Sequence, residues 1–266
     1  MWDDFLDSSI GVAETIFDAK CYAYNFIAEE GLELLGETDA GIGVEEQIYF
    51  PKELTVRLQK FIDGKYKSAA SIKKIRGDLL TVFHELIHTI GPERWPVWDK
   101  ISTDITKNSC GWAFSEGATE LAAQIFFDEY LKGLDLERID KRVLIKSPEK
   151  VCYPMLLNLM GTLCDWSSVA LGIESEEILK RWIKDGTGAR PLLQFTNSFI
   201  RRFGLEKAKE IGIILIKTLS LAQTIQLAKK DNPENSEKLR KLLIEKLAKV
   251  VNLRGETIIS KGERLT

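Results

Sequence analysis

A mainly helical chain with a small sheet near its front is the fold class this sequence predicts, and three observations predict it. Apolar residues recur at helical spacing along most of the 266 residues. One segment, 41–50 (GIGVEEQIYF), instead mixes β-branched and aromatic residues and is ended by Pro51, as a short strand or extended run would be. Beyond Pro154 the helical patterns follow one another with only turn signals between them, so the C-terminal half is expected to be all helix.

Taken in order, the first helix is expected over 11–35, where Val12, Ile16, Ala19, Ala23, Phe26 and Ile27 share a face and Gly36 ends the pattern. The strand segment 41–50 follows, then a helix from about residue 53. A long helix is expected over 69–90, because Leu79, Leu80, Val82, Phe83, Leu86, Ile87 and Ile90 form a broad apolar face and Gly91-Pro92 stops it. After a loop with Trp95 and Trp98, a helix is expected over 116–131, stopped by Gly133. Further helices are expected over 154–171, 176–184, 193–203, 206–229 and 234–251, with Asp185-Gly186 and Asp231-Asn232-Pro233 as breaks. The tail 254–266 is expected to be an edge strand or partly disordered. The whole chain, 1–266, reads as one folded unit with possible sub-lobes 1–132 and 133–266.

Composition narrows the function. A hydrophobic content of 44% suffices for a sizeable core. The 37 basic and 40 acidic residues are interspersed, giving a net charge of -3 and no basic field for nucleic acid. The most apolar stretch, 211–221, contains Lys217 and is shorter than the roughly 20 residues a membrane span needs, so no membrane partner is expected. Asp3 and Asp4 stand where a signal peptide would be basic, so a cytoplasmic protein is expected. Cys21, Cys110, Cys152 and Cys164 form no CxxC pair and read as free, mostly buried thiols.

The informative segment is Phe83-His84-Glu85-Leu86-Ile87-His88, an HExxH sequence inside a predicted helix. Spacing of four residues puts both imidazoles on one face, one turn apart, where two ring nitrogens can reach one metal ion. Zinc takes a near-tetrahedral shell at Zn–N distances of about 2.0 to 2.1 Å, so the pair leaves room for a third ligand and a water. Glu85, beside the first ligand, is the expected general base for that water. His84 and His88 are the two histidines of the entire chain, which leaves none for a cysteine nucleophile's base. Glu85 to His88 also forms an ExxH, but di-iron bundles need two such motifs.

This segment resembles the zincin metallopeptidases, a likeness carried by about residues 69–131. The metzincin extension HExxHxxGxxH fails here: the chain reads HELIHTIGPER, with Gly91 at the glycine position but Arg94 in place of the third histidine. An aspzincin ligand would fall on Asp99 or Asp104, neither in a fitting context. The gluzincin pattern fits better, since GWAFSEGATE at 111–120 resembles the helix starts that carry a glutamate ligand. That resemblance implies Glu116 as the third zinc ligand, 28 residues after His88, a separation similar to that of bacterial collagenase catalytic domains. It implies Glu120, one turn on, as a carboxylate that orients a ligating histidine. There is no GxMEN signature of an aminopeptidase.

The resemblance therefore implies a zincin-like fold, Zn2+ as cofactor and peptide or protein substrates hydrolysed by an endopeptidase. With both histidines committed, oxyanion stabilisation falls to a tyrosine or arginine, for which Tyr153 and then Arg190 are the candidates. Strand segment 41–50 is where a peptide would be added as a further strand, and Trp95 and Trp98 are candidates for a pocket or lid. Two other functions stay open at this level: a zincin-fold binding or regulatory module without activity, and a zinc hydrolase of non-peptide amides.

Overall fold

The computed structural model describes residues 2–21, 25–29, 41–42, 47–66, 68–91, 110–145, 151–184, 197, 199–228, 230 and 232–252. Trp95, Trp98, Asp99, Asp104, Arg190, the 185–186 turn and the tail from 254 lie outside them. The described residues are mostly helical, with one small sheet.

The first helix, α1 (Trp2–Phe17), starts with Asp3 and Asp4 in its first turn, where carboxylates favour the positive end of the helix dipole. It buries Phe5, Leu6, Ala13, Ile16 and Phe17. The helix expected over 11–35 is thus corrected at both ends. Asp18 adopts a left-handed conformation at φ 48 and ends α1, a role that the short polar side chain of aspartate tolerates without glycine. Glu14 secures the reversal, its carboxylate accepting from the Cys21 backbone N–H at 3.0 Å and from Lys20 Nζ at 2.6 Å. The chain then re-emerges as β1 (Asn25–Glu29).

The expected strand 41–50 is present as two pieces, β2 (Gly41–Ile42) and β3 (Gln47–Pro51). Sheet order is β1-β3-β2, with β1 parallel to β3 in the register Phe26 to Ile48 and β2 antiparallel to it. Pro51 ends β3, and α2 (Lys52–Ile62) begins at once, burying Leu54, Leu58 and Phe61 at helical spacing. Next comes α3 (Ala69–His88), opened by Ser68, whose hydroxyl accepts from the Ser71 N–H at 3.1 Å. From Val82 to Ile90 every residue of the chain is buried, as expected of a helix surrounded by protein.

The 24-residue helix α4 (Cys110–Gly133) begins six residues ahead of the expected start at 116. Short helix α5 (Glu137–Asp140) and a 3-10 turn (Lys141–Leu144) follow. Later helices match the sequence reading closely: α6 (Pro154–Leu171), α7 (Ser175–Lys184), α8 (Leu205–Leu227) and α9 (Pro233–Val251). Of the helix expected over 193–203, the described residues from Phe199 onward are helical.

The chain divides into two compact units, one of Met1–Glu93 with Ala122–Lys150, the other of Arg94–Leu121 with Val151–Thr266. Helix α4 is continuous and contributes to both. In the first unit Phe17 meets Phe126 edge-on at 5.4 Å, and Phe83 stacks on Tyr130 at 4.2 Å and 13°. A bidentate pair joins α2 to α3, with Arg57 Nε and Nη2 each 2.7 Å from the Asp78 carboxylate. In the second unit α6 turns into α7 through Gly172, left-handed at φ 68, and Ser175 Oγ donates to Asp165 at 3.0 Å across the corner. Helices α8 and α9 pack on α6, tied by Asn158 Nδ2 donating to Ser236 Oγ.

The apolar stretch 211–221 lies in α8, which buries Ile211, Leu215, Leu219 and Ala222. By length and composition this helix reaches what a membrane crossing needs, and a third of its most apolar window is buried. Ile213, Ile216, Leu221 and Leu227 on it are exposed.

Candidate metal centre

The motif residues sit near the C-terminal end of α3, which stops just past His88. Thr89 Oγ1 donates to Leu86 O at 2.8 Å, and Gly91, at φ 122, takes the chain away. The exit is stapled: Gly91 N–H donates to Lys20 O at 3.0 Å, and Cys21 pairs with Ile90 in an antiparallel bridge. Burial holds the Cys21 thiol well above its ordinary range, up to about 11, with a Thr89 hydrogen bond working the other way. It is therefore a protonated structural thiol at neutral pH rather than a thiolate ligand.

His84, Glu85 and His88 are 9%, 7% and 7% exposed. The two Nε2 atoms are 3.2 Å apart, and the rings meet at 71° with centroids 4.9 Å apart. Two nitrogens bound to one tetrahedral zinc at about 2.05 Å would be about 3.3 Å apart, so the pair already has the bite that ion requires. Glu116 completes the group. Its carboxylate and the two imidazoles each offer an atom, and these atoms all lie within 4.8 Å of one another.

The fit to zinc is good on chemistry as well as spacing. Two imidazole nitrogens and one carboxylate oxygen are donor types that zinc takes, and three such ligands would leave a tetrahedral ion one further position. Glu85 and Glu116 bring two carboxyl groups to a largely buried place, where a divalent cation would offset their charge. No cysteine among the described residues joins the group.

Helix α4 brings Glu116 to the histidines. Because α4 starts at Cys110, Glu116 lies in its second turn, inside the helix rather than at its frayed first residue. Its neighbour Gly117 is where α6 comes close: a Cβ there would stand 2.5 Å from Met160 Cγ and 3.2 Å from both Leu156 Cβ and Leu156 O. The glycine of the Ser-Glu-Gly sequence thus has a packing role that its resemblance to gluzincin helices did not reveal. One turn on, Glu120 is buried and accepts from the Cys152 backbone N–H at 3.3 Å, which joins it to the residues just ahead of α6.

Tyr153 is the N-cap residue of α6, half-buried and next in the chain to Cys152. The Cys152–Glu120 contact therefore brings the backbone beside Tyr153 to the helix that bears Glu116. Sequence reasoning missed two further contributors. One is the Phe83–Tyr130 stack directly beside His84; the other is Arg76, two turns before His84, a buried cation that reaches α4. Apolar periodicity signalled Phe83 as core, but nothing local tells which side chains it meets.

No protein-family model, curated protein or solved structure matches this chain, so the residues of the site carry the functional argument.

Proposed function

We propose that the chain is a zinc-dependent metallopeptidase of the gluzincin kind, with a zincin-like fold, acting as an endopeptidase on peptide or protein substrates. The observation that carries this reading is the convergence of His84, His88 and Glu116, which come from two helices separated in the chain yet offer ligand atoms within 4.8 Å of one another. Chance placement of a surface glutamate would not bring it to a buried pair of imidazoles already 3.2 Å apart.

His84, His88 and Glu116 would hold the ion. Bound there, zinc would supply a Lewis acid for a scissile carbonyl and lower the pKa of water at the open position to about 7. Glu85 carries the proton. Its carboxylate, buried next to His84 on α3, takes a proton from the attacking water and returns it to the departing amine. Glu120, through the Cys152 N–H, keeps the start of α6 against α4, and Tyr153 at that start is the group assigned to the oxyanion.

The test is metal content per chain together with cleavage of an unbiased peptide library, for wild type, Glu85→Gln and Glu116→Ala. One zinc per wild-type chain, kept but without turnover in Glu85→Gln and held more weakly in Glu116→Ala, is the expected outcome. Zinc without any cleavage would reject the peptidase reading. A wild-type chain that takes up no zinc would reject the metal centre itself.

A further inference from the structure

We propose that Arg76 is a positioning residue for the metal centre: its buried clamp on α4 sets how that helix lies against α3, and so where Glu116 meets His84 and His88. The proposal rests on the metal-centre reading above and adds to it a residue outside the ligand set.

Arg76 is 3% exposed, the one buried arginine or lysine among the described residues. Its guanidinium reaches both the 3-10 turn and α4. Nη1 donates to Val143 O in the 3-10 turn, Nη2 lies 3.9 Å from Asp128 Oδ1, and Cζ sits 5.2 Å from the centre of the Phe127 ring. Phe127 and Asp128 are successive residues of α4, so one side chain of α3 grips α4 by both ring and charge while the 3-10 turn closes over it.

The chemistry of this grip is directional. Phe83 and Tyr130 also join the two helices, as a ring stack, and the guanidinium adds hydrogen-bond donors of fixed direction to that contact. A buried guanidinium has five donors in a rigid plane and is costly to leave unmatched, so it holds only where its acceptors and ring are in place. Breaking a buried charged contact by removing one partner is costly, because the other is left uncompensated.

Geometry makes the arrangement matter. Arg76 lies 12 residues before His88, and Asp128 lies 12 residues after Glu116. At 1.5 Å per residue both intervals are about 18 Å, so the clamp and the ligand group lie about equally far along their two helices. Over that arm a tilt of about 10° at the clamp moves Glu116 by about 3 Å. Metal–ligand bonds tolerate only about 0.2 Å, so the angle fixed at Arg76 decides whether the third ligand arrives.

The experiment titrates the full chain with Co2+ and with Zn2+, for wild type, Arg76→Lys, Arg76→Met, Asp128→Asn, Glu116→Ala and the double variant Arg76→Met/Glu116→Ala, after circular dichroism has shown which are folded. Expected is at least a tenfold loss of cobalt affinity in the folded Arg76 variants, with visible absorption bands moving toward those of Glu116→Ala. The double variant should bind no more weakly than Glu116→Ala alone, since the clamp acts through Glu116. Arg76 variants that melt earlier yet bind cobalt with wild-type affinity and bands would overturn the proposal, because a purely structural role moves only the melting temperature. Should Arg76→Met not fold, Arg76→Lys and Asp128→Asn decide by the same two readouts. Failure of the underlying reading is separate: it would appear as no cobalt or zinc uptake by wild type.

Discussion

Gly117 of α4 and Met160 of α6 come so close that a methyl group on Gly117 would lie 2.5 Å from Met160 Cγ and 3.2 Å from Leu156 O. In a solvated helix, glycine to alanine gains about 1 kcal/mol. Here overpacking of about 1–3 kcal/mol opposes that gain, because Leu156 O belongs to a helix backbone and cannot swing away. Gly117→Ala should therefore lower stability in chemical denaturation and weaken zinc binding, since Glu116 is the neighbouring residue. Unchanged or increased stability would show that α6 can retreat at no cost.

Zinc itself should stabilise the fold. A ligand that binds only the native state adds about 2.7 kcal/mol at a concentration a hundredfold above its Kd. Thermal melts should shift upward with added zinc and downward with a chelator, in wild type and in Glu85→Gln alike. His84→Ala and His88→Ala should lose the shift. A zinc response that survives removal of both imidazoles would place the ion elsewhere.

The described thiols should differ sharply in reactivity. Cys152 is exposed, whereas Cys21 and Cys164 are buried and burial pushes both thiols upward. Alkylation near neutral pH, mapped by mass spectrometry, should modify Cys152 first and reach the other two only on unfolding. A linkage follows for Cys21. Its folded value of about 11 exceeds the ordinary 9.0, so the native state holds this proton more tightly than the unfolded chain. Its contribution is intact below pH 9 and is lost as pH rises toward 11, a fall on the order of 2 kcal/mol that Cys21→Ala should remove from the alkaline denaturation profile.

Arg57 and Asp78 offer a test of the scaffold without touching the ligands. Their two 2.7 Å bonds join α2 to α3, and Asp78 is buried enough that burial raises its carboxyl above the ordinary range against the pull of Arg57. Removing Arg57 leaves that carboxylate without its cation. Arg57→Ala should cost about 1–3 kcal/mol, more than Arg57→Ala measured in an Asp78→Ala background. Equal costs in the two backgrounds would mean the pair is uncoupled.

Much of this architecture was legible because its signals are local. Ser68 and Gly91 bracket the motif helix, Gly172 ends α6, and Asn232 caps α9 with Pro233 behind it, so those boundaries fall within one or two residues of expectation. The break at Asp18 was not legible, since Phe26 and Ile27 continue the same helical spacing and no glycine or proline marks the turn. Neither was the parallel pairing of β1 with β3, which joins segments that no short window contains. In the candidate site, the closeness of the His84 and His88 rings is legible from their spacing alone. Glu116 came from likeness to other helix starts, and its true setting, two turns into α4 with α6 seated on Gly117, depends on contacts from distant parts of the chain.

The staple between Lys20-Cys21 and Ile90-Gly91 makes the front of the protein part of the mechanics of the candidate metal centre. Helices ordinarily loosen from their ends, and His88 is the last residue of its helix. Here the turn that carries His88 cannot unravel unless the strap behind α1 lets go as well. Amide hydrogens around Ile90 and Gly91 should accordingly exchange in step with those at Cys21, and a protease cut between Asp18 and Lys20 would loosen His88, which lies nearly seventy residues downstream.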